Sequence, residues 1–105
     1  MVLIKACLVE DVPLNGMREV SIMGRALLIA NLDGRFYAMD GTCSHQLANL
    51  ALGSRDGFII ICPRHGARFD IRTGKVVQDL GPGERVNDLR AYPVKVVDGC
   101  LHIDM

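Results

Sequence analysis

The sequence contains two short motifs on which its interpretation depends, Cys43-Ser44-His45 and, after sixteen further residues, Cys62-Pro63-Arg64-His65. Each motif offers one thiolate and one imidazole, so the two loops together would supply two sulfur and two nitrogen ligands to a metal centre. Mononuclear zinc ribbons and fingers usually group Cys with Cys or His with His. Because each loop here contributes one Cys and one His, the pattern favours an iron–sulfur centre in which two His replace two Cys on one iron.

The residues that follow each motif support one interpretation. The first motif is followed by Ala48, Leu50 and Gly53, and the second continues as Gly66-Ala67-Arg68-Phe69-Asp70-Ile71-Arg72-Thr73-Gly74. With these flanks the chain resembles the Rieske ferredoxin family, whose members are small electron carriers with a 2Fe-2S cluster. The resemblance extends more weakly over nearly the whole chain. A structural zinc site is the alternative interpretation of the same ligands.

The resemblance implies a role for each candidate ligand. Cys43 and Cys62 would bind the inner iron as thiolates, and His45 and His65 would bind the outer iron as neutral imidazoles. It also implies that Gly81-Pro82-Gly83 forms a third loop that covers the cluster. The same tripeptide is an ordinary turn sequence, so this role is the less specific part of the resemblance.

Departures from the family pattern bear on the reduction potential. Family members from quinol-oxidising complexes carry an additional Cys in each ligand loop, joined by a disulfide, and the matching positions here are Ala48 and Arg64. Those proteins also use a Ser and a Tyr hydroxyl to donate hydrogen bonds to the cluster sulfurs, whereas this chain has Ala67 and Phe69. Hydrogen bonds to the sulfurs stabilise the reduced cluster. We therefore expect a cluster of low potential.

Length and composition set further limits. The 105 residues suffice for one modest core, so we expect a single Rieske 2Fe-2S domain over residues 1–105, with cluster-binding loops at about 41–53, 62–70 and 80–84. Twelve Lys and Arg balance twelve Asp and Glu, which argues against a nucleic-acid-binding or membrane-binding surface. The apolar start is too short for a signal peptide or a membrane span, so we expect a soluble, cytoplasmic protein.

The remaining Cys and His residues are expected to lie outside the metal centre. Cys7 and Cys100 are left after the ligands are assigned, and a cytosolic environment keeps thiols reduced. We expect both to act as small buried hydrophobic residues without a bridge. His102 falls in the last apolar segment with no ligand Cys nearby, so we expect it to bind no metal.

Short apolar segments separated by turn dipeptides predict an all-β fold. The dipeptides that favour tight hairpins are Asn15-Gly16, Asp33-Gly34, Asp56-Gly57 and Asp98-Gly99. The predicted strands are Leu3–Val9, Arg18–Met23, Ala26–Asn31, Arg35–Met39, Phe58–Cys62, Ala67–Asp70, Val76–Val77, Arg90–Val97 and Cys100–Asp104. We expect Phe58–Ile61 to be buried on both faces, and at most Gln46–Leu50 to form one helical turn. The pattern suggests an antiparallel sandwich or barrel, to which the resemblance adds a cluster-binding subdomain at one end.

Several functions remain to be compared. The resemblance is strongest to the ferredoxin component of aromatic-ring dioxygenase systems, which passes electrons from a flavin-dependent reductase to a terminal oxygenase. The chain cannot itself be the oxygenase, because a mononuclear iron site needs two further His and a carboxylate and only His102 is left. A small Rieske subunit of a larger reductase, such as nitrite reductase, is an alternative, and a structural zinc module is a less favoured one. We therefore expect an electron-transfer component and not an enzyme.

Overall fold

The computed structural model describes residues 2–42, 49–63, 66–78 and 87–105. Within these ranges the regular structure is almost entirely β. The strands are β1 (Leu3–Leu8), β2 (Met17–Ile22), β3 (Arg25–Leu32), β4 (Arg35–Asp40), β5 (Ser54–Asp56), β6 (Ile59–Ile61), β7 (Arg68–Asp70), β8 (Val76–Gln78), β9 (Ala91–Tyr92), β10 (Val94–Val97) and β11 (Cys100–Asp104). Short 3-10 turns occupy Val9–Asp11 and Leu50–Leu52. No helix in the described ranges is long and apolar enough to cross a membrane.

The strands form three antiparallel sheets. The terminal sheet has the order β1-β11-β10, the central sheet β2-β3-β4-β9, and the loop sheet β5-β6-β7-β8. Within the loop sheet, β6 pairs with β5 on one side and with β7 on the other. The loop sheet therefore carries the hairpin that contains the second predicted ligand motif.

Strand β3 of the central sheet is buried on both faces. In β3, Leu28 and Ala30 pack in a core layer with residues of the loop sheet, whereas Leu27 and Ile29 pack in a second layer with residues of the terminal sheet. All four side chains are fully buried. Because neighbouring residues of a strand point to opposite faces, a run of consecutive apolar residues is what a strand between two layers requires.

Most hairpins form at the predicted dipeptides. The glycines Gly34, Gly57 and Gly99 have φ angles of 90°, 61° and 75°, in the turns β3–β4, β5–β6 and β10–β11. Asn15-Gly16 lies in the connection before β2 and does not join two paired strands. The β2–β3 hairpin turns instead at Met23-Gly24, where Met23 has a φ of 53°. This turn was not predicted, because a Met residue rarely adopts a positive φ angle.

The structure corrects three predictions about the strands. The predicted strand Arg90–Val97 is interrupted at Pro93, which has no N–H for a ladder, so that β9 joins the central sheet and β10 joins the terminal sheet. Strand β5 was not predicted, since Ser54-Arg55-Asp56 has no apolar alternation. In the segment Phe58–Ile61 only Ile60 is fully buried, so the prediction of burial on both faces is wrong.

The short helical turn lies later than expected. It spans Leu50–Leu52, and of the predicted range Gln46–Leu50 it shares Leu50 alone. Asn49 begins this turn, since its side-chain oxygen accepts a hydrogen bond of 2.9 Å from the N–H of Ala51. Residues 46–48 of the predicted range lie outside the described residues.

Cys7 and Cys100 carry free thiols and are half-buried. Cys7 pairs with Leu101 and packs against the core layer beneath the terminal sheet. Cys100 precedes the buried Leu101 in β11, so its side chain lies on the opposite, outer face. Burial, followed by the nearby charge of Asp11, raises the pKa of the Cys7 thiol and so disfavours the reactive thiolate. Both thiols are free in the structure, and their burial is partial where full burial was expected.

We expect reductant to leave the thermal stability of the protein unchanged. A native bridge between Cys7 and Cys100 would contribute about 2–4 kcal/mol, which corresponds to roughly 10–30 °C in a domain of this size. Melting followed by circular dichroism with and without reductant checks this, with the visible absorption recorded to separate loss of a bound cofactor. A fall of tens of degrees on reduction alone would contradict the assignment.

Candidate metal centre

Of the four predicted ligands, Cys62 lies within the described residues, and Cys43, His45 and His65 lie outside them. Cys62 directly follows β6 and is 3% exposed. It belongs to the core layer beneath the loop sheet, together with Leu50, Ala67 and Phe69. His102 lies in β11 of the terminal sheet, on the other side of the central sheet from this layer.

The second motif sits at the tip of the β6–β7 hairpin. The N–H of Cys62 donates to the carbonyl oxygen of Ala67 at 2.8 Å, and the N–H of Gly66 donates to the carbonyl oxygen of Cys62 at 3.2 Å. Gly66 has a φ of 74°, a conformation that favours glycine. The hairpin therefore closes immediately around the motif, and the described backbone on both sides of residues 64–65 is fixed by hydrogen bonds.

The first motif is closed at its base by a second pair of segments. Thr42 and Asn49 form an isolated antiparallel bridge, and the N–H of Leu50 donates to the carbonyl oxygen of Gly41 at 2.9 Å. The described segments on the two sides of residues 43–48 are therefore joined to each other at the end of β4. Leu50 is fully buried in the same core layer as Cys62, so the base of the first loop and the base of the second share one core.

Gly53 permits the two bases to lie in contact. A Cβ at this position would overlap the carbonyl oxygen of Ile61 and would lie 3.2 Å from Cδ of Pro63. The segment that follows the first loop thus packs directly against the strand that delivers Cys62. Any residue larger than glycine would push these two backbones apart.

The third loop also has a described base. Gly81-Pro82-Gly83 and the surrounding residues 79–86 lie outside the described residues. The described chain resumes after residue 86 beside the β7–β8 hairpin. There the Asp88 side chain accepts a hydrogen bond of 2.8 Å from the N–H of Val76. The N–H of Leu89 donates to the carbonyl oxygen of Gly74 at 2.7 Å. Neither interaction could be predicted from the spacing of the residues along the chain.

The environment of the described ligand suits an iron–sulfur centre. Ala67 and Phe69 are fully buried beside Cys62, and neither side chain has a hydroxyl. A thiol among apolar groups is a soft ligand that is shielded from water, and such a ligand matches iron–sulfur chemistry better than a hard cation. The residues present therefore fit a 2Fe-2S cluster at this end of the molecule.

Asp70, the last residue of β7, organises the hairpin behind the second motif. Its carboxylate accepts hydrogen bonds from the Arg72 side chain at 2.8 and 3.0 Å, and these lower the pKa of Asp70. The Arg72 guanidinium also lies 4.2 Å above the centre of the Phe58 ring, which contacts Tyr37 edge-on. This surface connects the loop sheet to β4 beside the shared core.

Comparison with known proteins identifies the family. The family model of the Rieske 2Fe-2S domain matches residues 2–93. The chain belongs to this family. It is 38% identical over 105 residues to the ferredoxin component of the p-cumate 2,3-dioxygenase system of Pseudomonas putida, covering 98% of this chain and 86% of that protein. It is also 38% identical to the 3-phenylpropionate/cinnamic acid dioxygenase ferredoxin subunit of Photorhabdus laumondii, covering 92% and 89%.

Two solved structures agree with this Rieske assignment. The ferredoxin of Sphingomonas yanoikuyae B1 is 34% identical, with a TM-score of 0.84 and 99% of both chains covered. A chain in a complex of reduced oxygenase and oxidized ferredoxin of carbazole 1,9a-dioxygenase is 30% identical, with a TM-score of 0.82, covering 97% of this chain and 92% of that one. The predicted all-β Rieske fold is confirmed, and the chain is an electron-transfer component of the ferredoxin type with a 2Fe-2S domain. The zinc interpretation is not supported.

We expect Gly53→Ala to destabilise the protein because its Cβ cannot be accommodated without separating the two loop bases. Overpacking of this kind costs about 1–3 kcal/mol, which lowers the melting temperature by roughly 5–20 °C. Ser54→Ala, at the exposed neighbouring position, is the matched control and should melt as the wild type does. Equal melting temperatures for Gly53→Ala and Ser54→Ala would show that the contact with Ile61 is not a constraint.

Proposed function

We propose that this protein is a cytoplasmic one-electron carrier that passes electrons from a flavin-dependent ferredoxin reductase to the terminal oxygenase of an aromatic-ring dioxygenase system. The observation that carries the proposal is the match, over nearly the full length of both chains, to proteins named as ferredoxin components of dioxygenase systems. A related ferredoxin has been solved in complex with its oxygenase. The match to two oxygenases of known structure extends over about a third or less of their length, whereas the match to a solved ferredoxin extends over 99% of both chains.

We propose further that residues 1–105 form one Rieske domain with one cluster, held by Cys43, His45, Cys62 and His65. The support comes from the described bases of the loops. Cys62 follows a core strand, and the segments flanking residues 43–48 are tied to each other and to the same core. Bound there, a 2Fe-2S cluster supplies reversible one-electron transfer.

The residues around Cys62 keep water away from its thiol and hold its backbone in place. Leu50, Ala67 and Phe69 exclude water from the side of the thiol that faces the core, because all three are fully buried. The two hydrogen bonds that join Cys62 to Ala67 and Gly66 hold the ligand backbone in place. A fixed, dry ligand environment limits the rearrangement that accompanies each change of charge.

We propose a low reduction potential for the same site. Ala67 and Phe69 occupy the positions where hydroxyl donors would stabilise the reduced state, and neither can donate. The potential should therefore lie near the lower end of the Rieske range, at about −150 mV, and far from the upper end near +300 mV.

Phe69→Tyr should raise the midpoint potential if its new hydroxyl reaches the cluster. A hydrogen bond to a charged group contributes about 1.5–3 kcal/mol, which corresponds to roughly 65–130 mV for a one-electron couple. Ala67→Ser should act in the same direction. Phe36→Tyr adds the same hydroxyl in the core layer on the other side of the central sheet and should leave the potential unchanged. Protein-film voltammetry measures all of these variants, and a Phe69→Tyr protein with an intact cluster and an unchanged potential would contradict the proposal.

Ligand substitutions should separate the two groups of Cys and His. Cys62→Ser should abolish the visible absorption of the purified protein, whereas Cys100→Ser, a free thiol in the terminal sheet, should retain it. His65→Gln should likewise lose the Rieske spectrum and His102→Gln should keep it. Iron and sulfide analysis with electron paramagnetic resonance provides the measurement. Loss of the spectrum in His102→Gln with retention in His65→Gln would show that the ligand assignment is wrong.

Electron delivery is the direct test of function. The reduced protein, mixed in a stopped-flow instrument with the oxygenase of the p-cumate system, should be reoxidised while the oxygenase becomes reduced. Bovine serum albumin in place of the oxygenase should leave it reduced. A protein that carries the cluster but reduces no dioxygenase-type oxygenase, including one encoded beside its own gene, would contradict the assignment to a dioxygenase system.

A further inference from the structure

The two halves of the proposed ligand set depart from different sheets. The first loop follows β4, which ends at Asp40 in the central sheet. The second loop is the hairpin between β6 and β7 of the loop sheet. The relative position of the two loops therefore depends on what holds these two sheets together, in addition to the apolar core between them.

One short segment is bonded to both sheets. We call Asp88–Tyr92 the strap. Toward the loop sheet, the Asp88 carboxylate accepts a hydrogen bond of 2.8 Å from the N–H of Val76, the first residue of β8. The N–H of Leu89 donates to the carbonyl oxygen of Gly74 at 2.7 Å. A Cβ at Gly74 would overlap the Leu89 carbonyl oxygen, so the two backbones are in direct contact.

At its other end the strap joins the central sheet, where Ala91 and Tyr92 pair with β4 as strand β9 and Asp40 adds three further hydrogen bonds. The Asp40 N–H donates to the carbonyl oxygen of Arg90 at 2.9 Å, and Oδ2 of Asp40 accepts from the N–H of Arg90 at 3.0 Å. Oδ1 of the same carboxylate accepts from the Tyr92 hydroxyl at 2.9 Å. One side chain and its own backbone thus make three hydrogen bonds to residues that lie about fifty positions away in the sequence.

The surroundings favour this arrangement. Tyr92 is 4% exposed, and burial, followed by the hydrogen bond to Asp40, raises its pKa, so the phenol remains a donor at neutral pH. The Arg25 guanidinium donates to the same hydroxyl at 3.3 Å, and the Arg90 guanidinium lies 5.1 Å above the Tyr92 ring. Both guanidinium groups therefore lie against Tyr92, whose hydroxyl donates to Asp40.

We propose that the strap, anchored by Asp88 on the loop sheet and by Asp40 on the central sheet, fixes the relative position of the two ligand loops, which makes Asp40 and Asp88 positioning residues for the redox centre. The inference rests on the proposed function, because it assumes that the ligands are divided between the two loops. Asp40 precedes the proposed ligand Cys43 by only three residues, so a shift of Asp40 should be transmitted directly to the first loop.

The proposal predicts that the two anchors depend on each other. Loss of the side-chain hydrogen bonds at one end loosens the strap, and a loosened strap transmits less of the constraint from the other end. The effects of Asp40→Ala and Asp88→Ala should therefore not be additive, as is expected for residues that act through one element. Two independent local contacts of the same strength would instead give additive effects.

A double-mutant cycle on the cluster-loaded protein tests this. Each single substitution should accelerate loss of the visible absorption in the presence of an iron chelator by about tenfold, and the double variant should also reach about tenfold and not a hundredfold. Asp104→Ala, a half-buried carboxylate in the terminal sheet, is the matched control and should react at the wild-type rate. Asp40→Asn, which keeps one acceptor oxygen, should fall between the wild type and Asp40→Ala.

The midpoint potential and the electron paramagnetic resonance line shape separate a positioning role from a general loss of stability, because loss of stability alone changes neither of them. Both should change in Asp40→Ala when measured well below its melting temperature, and Ile103→Val, which destabilises the core layer of the terminal sheet, should leave both unchanged. Additive acceleration, or an unchanged rate in either single variant, would overturn the proposal.

Hydrogen exchange separates failure of this inference from failure of the proposed function. In Asp40→Ala the amides of Val76 and Leu89, at the far end of the strap, should exchange faster than in the wild type, whether or not a cluster is bound. Unchanged exchange at both amides would show that the strap does not couple the sheets. A wild-type protein without a 2Fe-2S spectrum would overturn the proposed function and, with it, the positioning role.

Discussion

Burial of β3 on both faces holds the two outer sheets in place. Leu28 and Ala30 belong to the core layer shared with the loop sheet, and Leu27 and Ile29 belong to the layer shared with the terminal sheet. Burying each large apolar side chain contributes about 1.5–3 kcal/mol, so one strand supplies a substantial part of the stability of both layers. Because Cys62 lies in the first of these layers, the ligand hairpin is anchored to the same strand through the core.

The two proposed ligand loops follow strands that belong to different sheets. Their described bases are joined by three kinds of contact: the shared core around Leu50 and Cys62, the close backbone approach at Gly53, and the strap bonded to Asp40. The first is non-directional, whereas the other two depend on geometry. The directional contacts add a fixed orientation to the close packing that the apolar core supplies.

The amount that could be predicted from the sequence differs between these contacts. The Cys and His motifs, the apolar run of β3 and the Asp-Gly turns are local patterns, and they correctly indicated the family, the central strand and three of the hairpins. The division of Arg90–Val97 at Pro93 was missed because a proline can also lie at the edge of a strand. The bonds of Asp40 to Arg90 and Tyr92 join residues far apart in the chain, so no local pattern reveals them.

Two Cys and two His, divided between the two loops, are proposed to hold one 2Fe-2S cluster. Electron–nuclear double resonance on the reduced protein, labelled with nitrogen-15 in histidine only, detects the histidine ligands themselves. We expect couplings from two histidine nitrogens in the wild type and in His102→Gln, because His102 lies in the terminal sheet. A spectrum without histidine couplings, or one in which His102→Gln removes a coupling, would contradict this assignment.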